Sequence, residues 1–71
     1  MIKFEGVLLR VKYIGYVLVR TTMDKHFLDI HFMNDNQYES TLSLTYETKG
    51  KAEQALIKLE KKINEWEQYH D

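Results

Sequence analysis

Hydrophobic positions in the last third of the chain recur with the spacing of an α-helix. Successive apolar residues follow one another at steps of four and three, which places them on one stripe of a 3.6-residue helix. Thr48 or Gly50 can serve as the N-cap. The pattern predicts one amphipathic helix over about 50–69, whose apolar side must pack on another element. The stripe consists of Ala52, Leu56, Leu59, Ile63 and Trp66.

Two segments that precede this helix alternate between apolar and polar residues. Leu28, Ile30 and Phe32 occupy every second position of the first segment, and residues 38–47 alternate in the same way. Such alternation is typical of antiparallel strands with one buried face. Between them, residues 34–37 read Asn-Asp-Asn-Gln, and these residue types tolerate left-handed backbone angles. The sequence therefore predicts a hairpin with its turn at 34–37.

The N-terminal part carries a long run of strand-forming residues over 7–21. One straight strand of this length would reach about 50 Å, whereas a domain of this size has a radius of gyration of only about 11 Å. Gly15 is the natural break, which gives strands near 2–12 and 16–22, with a bulge at Gly6 as a further possibility. A bent continuous strand is the alternative.

Together these elements predict an α+β fold in a single domain, 1–71. It consists of a small antiparallel sheet of about four strands over about 2–46, in the order β-β-β-β-α, most simply a meander. The C-terminal amphipathic helix packs on one face of this sheet. A chain of 71 residues buries only about 60% of its unfolded surface, and small proteins often offset this by oligomerising. We therefore expect a homodimer.

Composition narrows the cellular setting and the chemistry. The chain has no cysteine, so it has no disulfide framework, thiolate metal site or cysteine nucleophile. No apolar run is long enough to span a membrane, and the N-terminus lacks the layout of a secretory signal. We therefore expect a cytoplasmic protein that does not interact with a membrane.

Alternation along the strands leaves a second set of residues on the face away from the helix. Large apolar and aromatic side chains mixed with basic ones are unusual on a face meant only for water, and interfaces favour this mixture. Apart from Asp29, we predict that this set binds a partner, either a second copy or another protein; alternatively, its members pack against one another or on a loop. The set consists of Leu8, Arg10, Lys12, Tyr16, Leu18, Arg20, Phe27, Asp29, His31 and Met33.

Nucleic acid is a further possible partner. The first 25 residues carry an excess of Lys and Arg, and residues 26–48 carry acidic residues without Lys or Arg. Arg10, Lys12 and Arg20 could contact phosphates while an aromatic ring stacks on a base. The net charge of −1 and the acidic second half of the sheet argue against this partner.

The sequence shows no pattern for metal binding or catalysis. His26, Asp29 and His31 are close in sequence, but alternation turns His26 away and leaves at most two converging ligands. Serines without a local base, scattered carboxylates and the absence of a phosphate-binding glycine loop predict no enzyme activity and no cofactor.

We therefore expect a small non-enzymatic protein-binding module, with a nucleic-acid-binding accessory protein as the alternative. The Lys-, Ile-, Asn- and Tyr-leaning composition suits an AT-rich bacterial genome or its phages. By analogy, such a small protein could be a phage- or mobile-element-type modulator or inhibitor of a larger host protein.

Overall fold

The computed structural model describes residues 1–33 and 39–70, which form two antiparallel sheets and one long helix. This confirms the predicted α+β class, although the strands divide between two sheets instead of forming one. The two-stranded sheet contains β1 and β2, and the three-stranded sheet has the order β3-β4-β5. The elements are β1 Ile2–Phe4, β2 Val7–Leu9, a 3₁₀ turn Val11–Tyr13, β3 Ile14–Thr22, β4 Lys25–Met33, β5 Glu39–Tyr46 and α1 Lys49–His70.

The three-stranded sheet is a meander with β4 at its centre. Val17 of β3 lies opposite Ile30 of β4, which lies opposite Leu42 of β5, and this row faces the helix. The pairing of β4 with β5 confirms the predicted hairpin partners. The turn predicted at 34–37 lies outside the described residues.

The break in the N-terminal segment lies at Glu5 and Gly6. Their φ angles are +51° and +79°, and Phe4 pairs with Val7 across them, so they form a two-residue hairpin turn. Such turns need positive φ at both central positions, which glycine adopts without steric cost. The predicted strand 2–12 is therefore wrong, and so is the bulge at Gly6.

Gly15 does not end a strand, contrary to the prediction. The chain turns earlier, at the 3₁₀ turn, where the backbone N–H of Tyr13 donates to the carbonyl of Arg10 at 3.1 Å. Gly15 lies inside β3 at a bulge, where the register with β4 shifts between Ile14 and Tyr16. A bulge bends a strand without interrupting it, but the alternative of one bent strand through 7–21 is also wrong, because the 3₁₀ turn separates β2 from β3.

The hydrophobic core lies between the three-stranded sheet on one side and α1 with the β1–β2 hairpin on the other. The helix begins after Thr48, whose hydroxyl accepts from the N–H of Lys51 at 3.1 Å, so Thr48 is the N-cap. Ile57, off the apolar stripe, is exposed as its position implies. The core cluster consists of Phe4, Leu9, Leu28, Ile30, Ala55 and Leu59.

Candidate functional site

One face of the three-stranded sheet points away from α1, and we call it the outer face. Among the described residues no helix or strand packs on it, because α1 and the hairpin both contribute to the core on the opposite side. Six of the nine predicted partner-binding residues lie here. The outer face consists of Tyr16, Leu18 and Arg20 of β3, Phe27, Asp29, His31 and Met33 of β4, and Thr41, Ser43 and Thr45 of β5.

An ion pair with a buried carboxylate and a partly exposed guanidinium lies at the centre of the outer face. Arg20 Nε donates to Asp29 Oδ2 at 2.6 Å, and its second nitrogen, Nη2, lies 3.4 Å from Oδ1. The hydroxyl of Ser43 donates to Asp29 Oδ1 at 2.7 Å. Only 6% of the Asp29 side chain is exposed, against 42% of that of Arg20. The Asp29 carboxylate lies on the side of the sheet away from the core, but it is shielded from water. It accepts hydrogen bonds from side chains of both neighbouring strands, β3 and β5.

This pairing shifts the pKa values of both partners towards their charged forms. The hydrogen bonds from Arg20 hold the pKa of Asp29 below its usual value, although burial of the carboxylate acts in the opposite direction. The same hydrogen bond raises the pKa of Arg20. Asp29 is consequently ionised at neutral pH despite its burial.

Phe27 makes a second contact with the guanidinium of Arg20. The guanidinium carbon of Arg20 lies 4.3 Å from the centre of the Phe27 ring, and the two residues are directly paired across β3 and β4. A cation over an aromatic face is attracted by the ring quadrupole. Arg20 is thus held between a carboxylate and a ring, which reduces the number of conformations available to its long side chain.

A second cluster lies farther along the same face. The rings of Tyr16 and His31 are stacked, with centroids 4.1 Å apart and planes 14° from parallel. His31 Nδ1 lies 3.1 Å from the Thr41 hydroxyl of β5. The cluster therefore crosses all three strands, as the ion pair does.

Apolar surface remains exposed around these two clusters. Leu18 is 37% exposed, Tyr16 48% and Met33 49%. Some side chains of the outer face thus contact one another, as one of the alternatives from the sequence predicted. The exposed part, however, consists of large apolar and aromatic side chains held on a rigid sheet.

Three of the predicted partner-binding residues do not belong to the outer face. Leu8 lies in β2, in the separate two-stranded sheet, and Arg10 and Lys12 lie in the connection to β3. Their predicted place on this face was wrong, because one alternation was carried through 2–12, whereas the hairpin turn reverses the chain at Glu5 and Gly6. Leu8 and Arg10 instead border a groove of about 300 Å³ whose far wall includes Met33. That the three residues bind a partner stays a prediction.

The basic residues proposed for nucleic-acid contact are consequently dispersed. Arg20 is paired with Asp29, and the Lys12 ammonium lies 5.1 Å from the centre of the Tyr13 ring. Arg20 is also six residues beyond the start of β3, about 20 Å along the strand from the connection that carries Arg10 and Lys12. Arg20 therefore lies on the outer face, whereas Arg10 and Lys12 lie outside it.

His26 faces the core side of the sheet, where its ring Nδ1 lies 3.1 Å from the Thr21 hydroxyl, so it is on the face opposite Asp29 and His31. Within residues 1–33 and 39–70, no group of three or more His, Cys, Asp or Glu residues is arranged to hold a metal ion. Over the same residues, no helix is both long and apolar enough to cross a membrane.

The sequence pointed to most of the outer face but missed its centre. Asp29 was predicted to be a surface residue of this face, and Ser43 was weighed only as a nucleophile without a local base. The available signal was a single acidic residue between Leu28 and Ile30 in the most apolar strand, with Arg20 on the preceding strand at the same face. A long basic side chain can reach a diagonal cross-strand neighbour, so this pairing was accessible in principle.

No protein-family model, curated protein or solved structure gives a significant match to the chain. Inference about function therefore rests on the outer face and on the edges of its sheet.

Proposed function

We propose that this chain is a small non-enzymatic protein-binding module, which binds its partner through the outer face and also self-associates. One observation carries the proposal: a sheet face that no described helix or strand covers presents Tyr16, Leu18 and Met33 around an ordered ion pair. Aromatic residues, Met and Arg are the types enriched at protein interfaces.

The side chains of the outer face are already ordered by contacts with one another, which favours a binding surface over a merely solvated one. Binding costs conformational entropy when long side chains become fixed, and here the Arg20 and His31 side chains are already held by Asp29, Phe27, Tyr16 and their neighbours. A partner would therefore meet a surface that needs little rearrangement. That this partner is a larger host protein, whose activity the chain modulates or inhibits, remains a prediction from composition and analogy.

Affinity capture with matched variants tests this proposal. Met33→Glu places a charge on the outer face, and Ile57→Glu makes the same kind of change at an exposed position of α1 that is 65% accessible. We expect the wild type and Ile57→Glu to retain the same protein from the producing cells, and Met33→Glu to lose it. Circular dichroism confirms that both variants are folded.

Two results would contradict the proposal. Capture that survives Met33→Glu but fails with Ile57→Glu would place the contact on the helix. A mobility shift of DNA or RNA at low salt that disappears when Arg10 and Lys12 are replaced would favour the nucleic-acid alternative, because phosphate contacts depend strongly on salt.

A further inference from the structure

The edge of the three-stranded sheet formed by β3 offers a second kind of binding surface. β3 is nine residues long, and among the described strands it pairs with β4 alone. An edge strand presents a row of N–H and C=O groups to any strand that can align with them. Proteins usually protect such edges with charged side chains, Pro, bulges or short strands. From Tyr16 to Thr22, after the bulge at Gly15, the one charged residue of β3 is Arg20, whose charge is paired with Asp29 of the same sheet.

The opposite edge, β5, is less suited to pairing. Its outer-face residues are Thr41, Ser43 and Thr45, which offer little apolar surface. The hairpin also lies near both of its ends, since Leu8 and Leu9 share a groove with Ser40, and Glu5 shares another with Tyr46. β3 combines β-branched residues with exposed Tyr16 and Leu18, so it is the edge with more to gain from a neighbour.

We propose that β3 pairs antiparallel with β3 of a second copy of this chain, about a two-fold axis at Leu18, to form a continuous six-stranded sheet. This inference rests on the proposed protein-binding function and names the partner in self-association. Antiparallel neighbours place directly opposite side chains on the same face. The axis must therefore pass through a residue position, and an axis at Leu18 sets the two exposed leucines opposite each other and pairs residues 16–20 of the two copies, all beyond the bulge at Gly15.

The side chains of β3 complement themselves in this register. Leu18 faces Leu18 of the second copy, and Val17 faces Val19, which extends the half-buried apolar row beside α1. Tyr16 faces Arg20, so the aliphatic stem of Arg20 lies beside the ring of the second copy while its guanidinium stays on its own Asp29 and Phe27. These contacts bury apolar surface on both faces of the sheet.

Charge does not oppose the pairing. Arg20 is the one charged residue of β3, and its counterpart in the second copy lies opposite Tyr16, four residues away. Four residues span about 13 Å, which exceeds the screening length of about 8 Å at physiological salt. The charge of each Arg20 is further compensated by its own Asp29.

Cysteine cross-linking tests the register directly, because the chain has no cysteine of its own. Leu18→Cys places two thiols opposite each other at the axis, and Thr45→Cys is the matched control on the outer face of the other edge strand. Under mild oxidation we expect Leu18→Cys to form a covalent dimer several-fold more completely than Thr45→Cys. Sedimentation of the wild type should give twice the mass of one chain.

A second pair of variants checks the result independently of Leu18. Mixing Val17→Cys with Val19→Cys should yield the mixed disulfide in preference to either homodimer. A wild type that sediments as a monomer at its highest soluble concentration, or cross-linking as strong in Thr45→Cys as in Leu18→Cys, would overturn the inference. Either result would leave the Met33→Glu capture experiment to decide the protein-binding function separately.

Discussion

Removal of either partner of the Arg20–Asp29 pair should have unequal consequences for stability. Asp29→Asn keeps the shape of the side chain and removes its charge, so Arg20 loses its counterion but remains partly solvated. Arg20→Met keeps an apolar side chain against Phe27 and leaves the carboxylate buried without its counterion, while the Ser43 hydroxyl still donates to it. A buried charge without a counterion is strongly destabilising, whereas an exposed one is not. We therefore expect Arg20→Met to be the more destabilising change at pH 7.

The cost of Asp29→Asn follows from the contacts that the carboxylate makes. Hydrogen bonds to a charged group typically contribute about 1.5–3 kcal/mol. The amide of Asn can still accept from Ser43, and the Arg20 side chain is 42% exposed, so water screens part of the lost attraction. We expect a loss of about 1–2 kcal/mol in the free energy of unfolding. In a protein of this size, that loss lowers Tm by about 5–15 °C.

Urea unfolding followed by circular dichroism measures these differences, and a double-mutant cycle isolates the pair. The double variant, Arg20→Met with Asp29→Asn, should be more stable than Arg20→Met alone, because it no longer buries an unpaired charge. Arg10→Met is the control, since it removes a cation outside the outer face. If Arg20→Met were as mild as Asp29→Asn, or if the two changes were additive, the buried ion pair would not have the role assigned to it.

Further predictions concern the same carboxylate and the framework that supports it. The pKa of Asp29 is lower in the folded state than in the unfolded state. Its contribution to stability is therefore present above the unfolded pKa of about 3.9 and is lost as the pH falls through the lower folded pKa. In urea unfolding, the difference in free energy of unfolding between the wild type and Asp29→Asn should shrink towards zero in acid. Leu59→Ala, at a fully buried position of α1, should cost about 2–5 kcal/mol in thermal unfolding. Gly6→Ala forces a side chain to adopt φ +79° and should lower the free energy of unfolding by about 1 kcal/mol. Thr48→Ala removes the N-cap of α1 and should lower it by about 1 kcal/mol in the same thermal unfolding measurement.

The helix and the β4–β5 pairing could be predicted from sequence because their signals are local and repeated. The stripe that includes Leu59 and Ile63 fixes one side of α1 over several turns, and the structure extends the predicted ends by a single residue each. Alternation in β4 likewise identified Leu28 and Ile30 as inward-facing, and both are fully buried. In both elements several residues report the same face, so one misplaced residue would not change the result.

The N-terminal segment could not be divided correctly, because the sequence pattern favoured a break at Gly15 over one at Gly6. Gly15 stands in a run of strand formers, where a break was needed on grounds of length, but it serves as a bulge that the sheet accommodates. Gly6 follows Glu5, which is not a typical turn residue, and yet Glu5 adopts φ +51° to complete the hairpin. The pairing of β1 with β2 overrides that local preference. The error then placed Leu8, Arg10 and Lys12 on a sheet to which they do not belong.

The buried position of Asp29 changes what the outer face implies. Removing a carboxylate from water costs free energy that a pairing with Arg20 recovers only in part, and apolar residues of similar volume often serve stability equally well. The face nevertheless keeps an ion pair whose guanidinium is fixed by both Asp29 and Phe27, beside the exposed Leu18 on the edge strand. This arrangement ties β3 to β4 through Arg20 and restrains that side chain. A fixed edge is what pairing about Leu18 requires, so loss of the ion pair in Asp29→Asn should weaken dimerisation as well as folding, and sedimentation under conditions where the variant is fully folded separates the two effects.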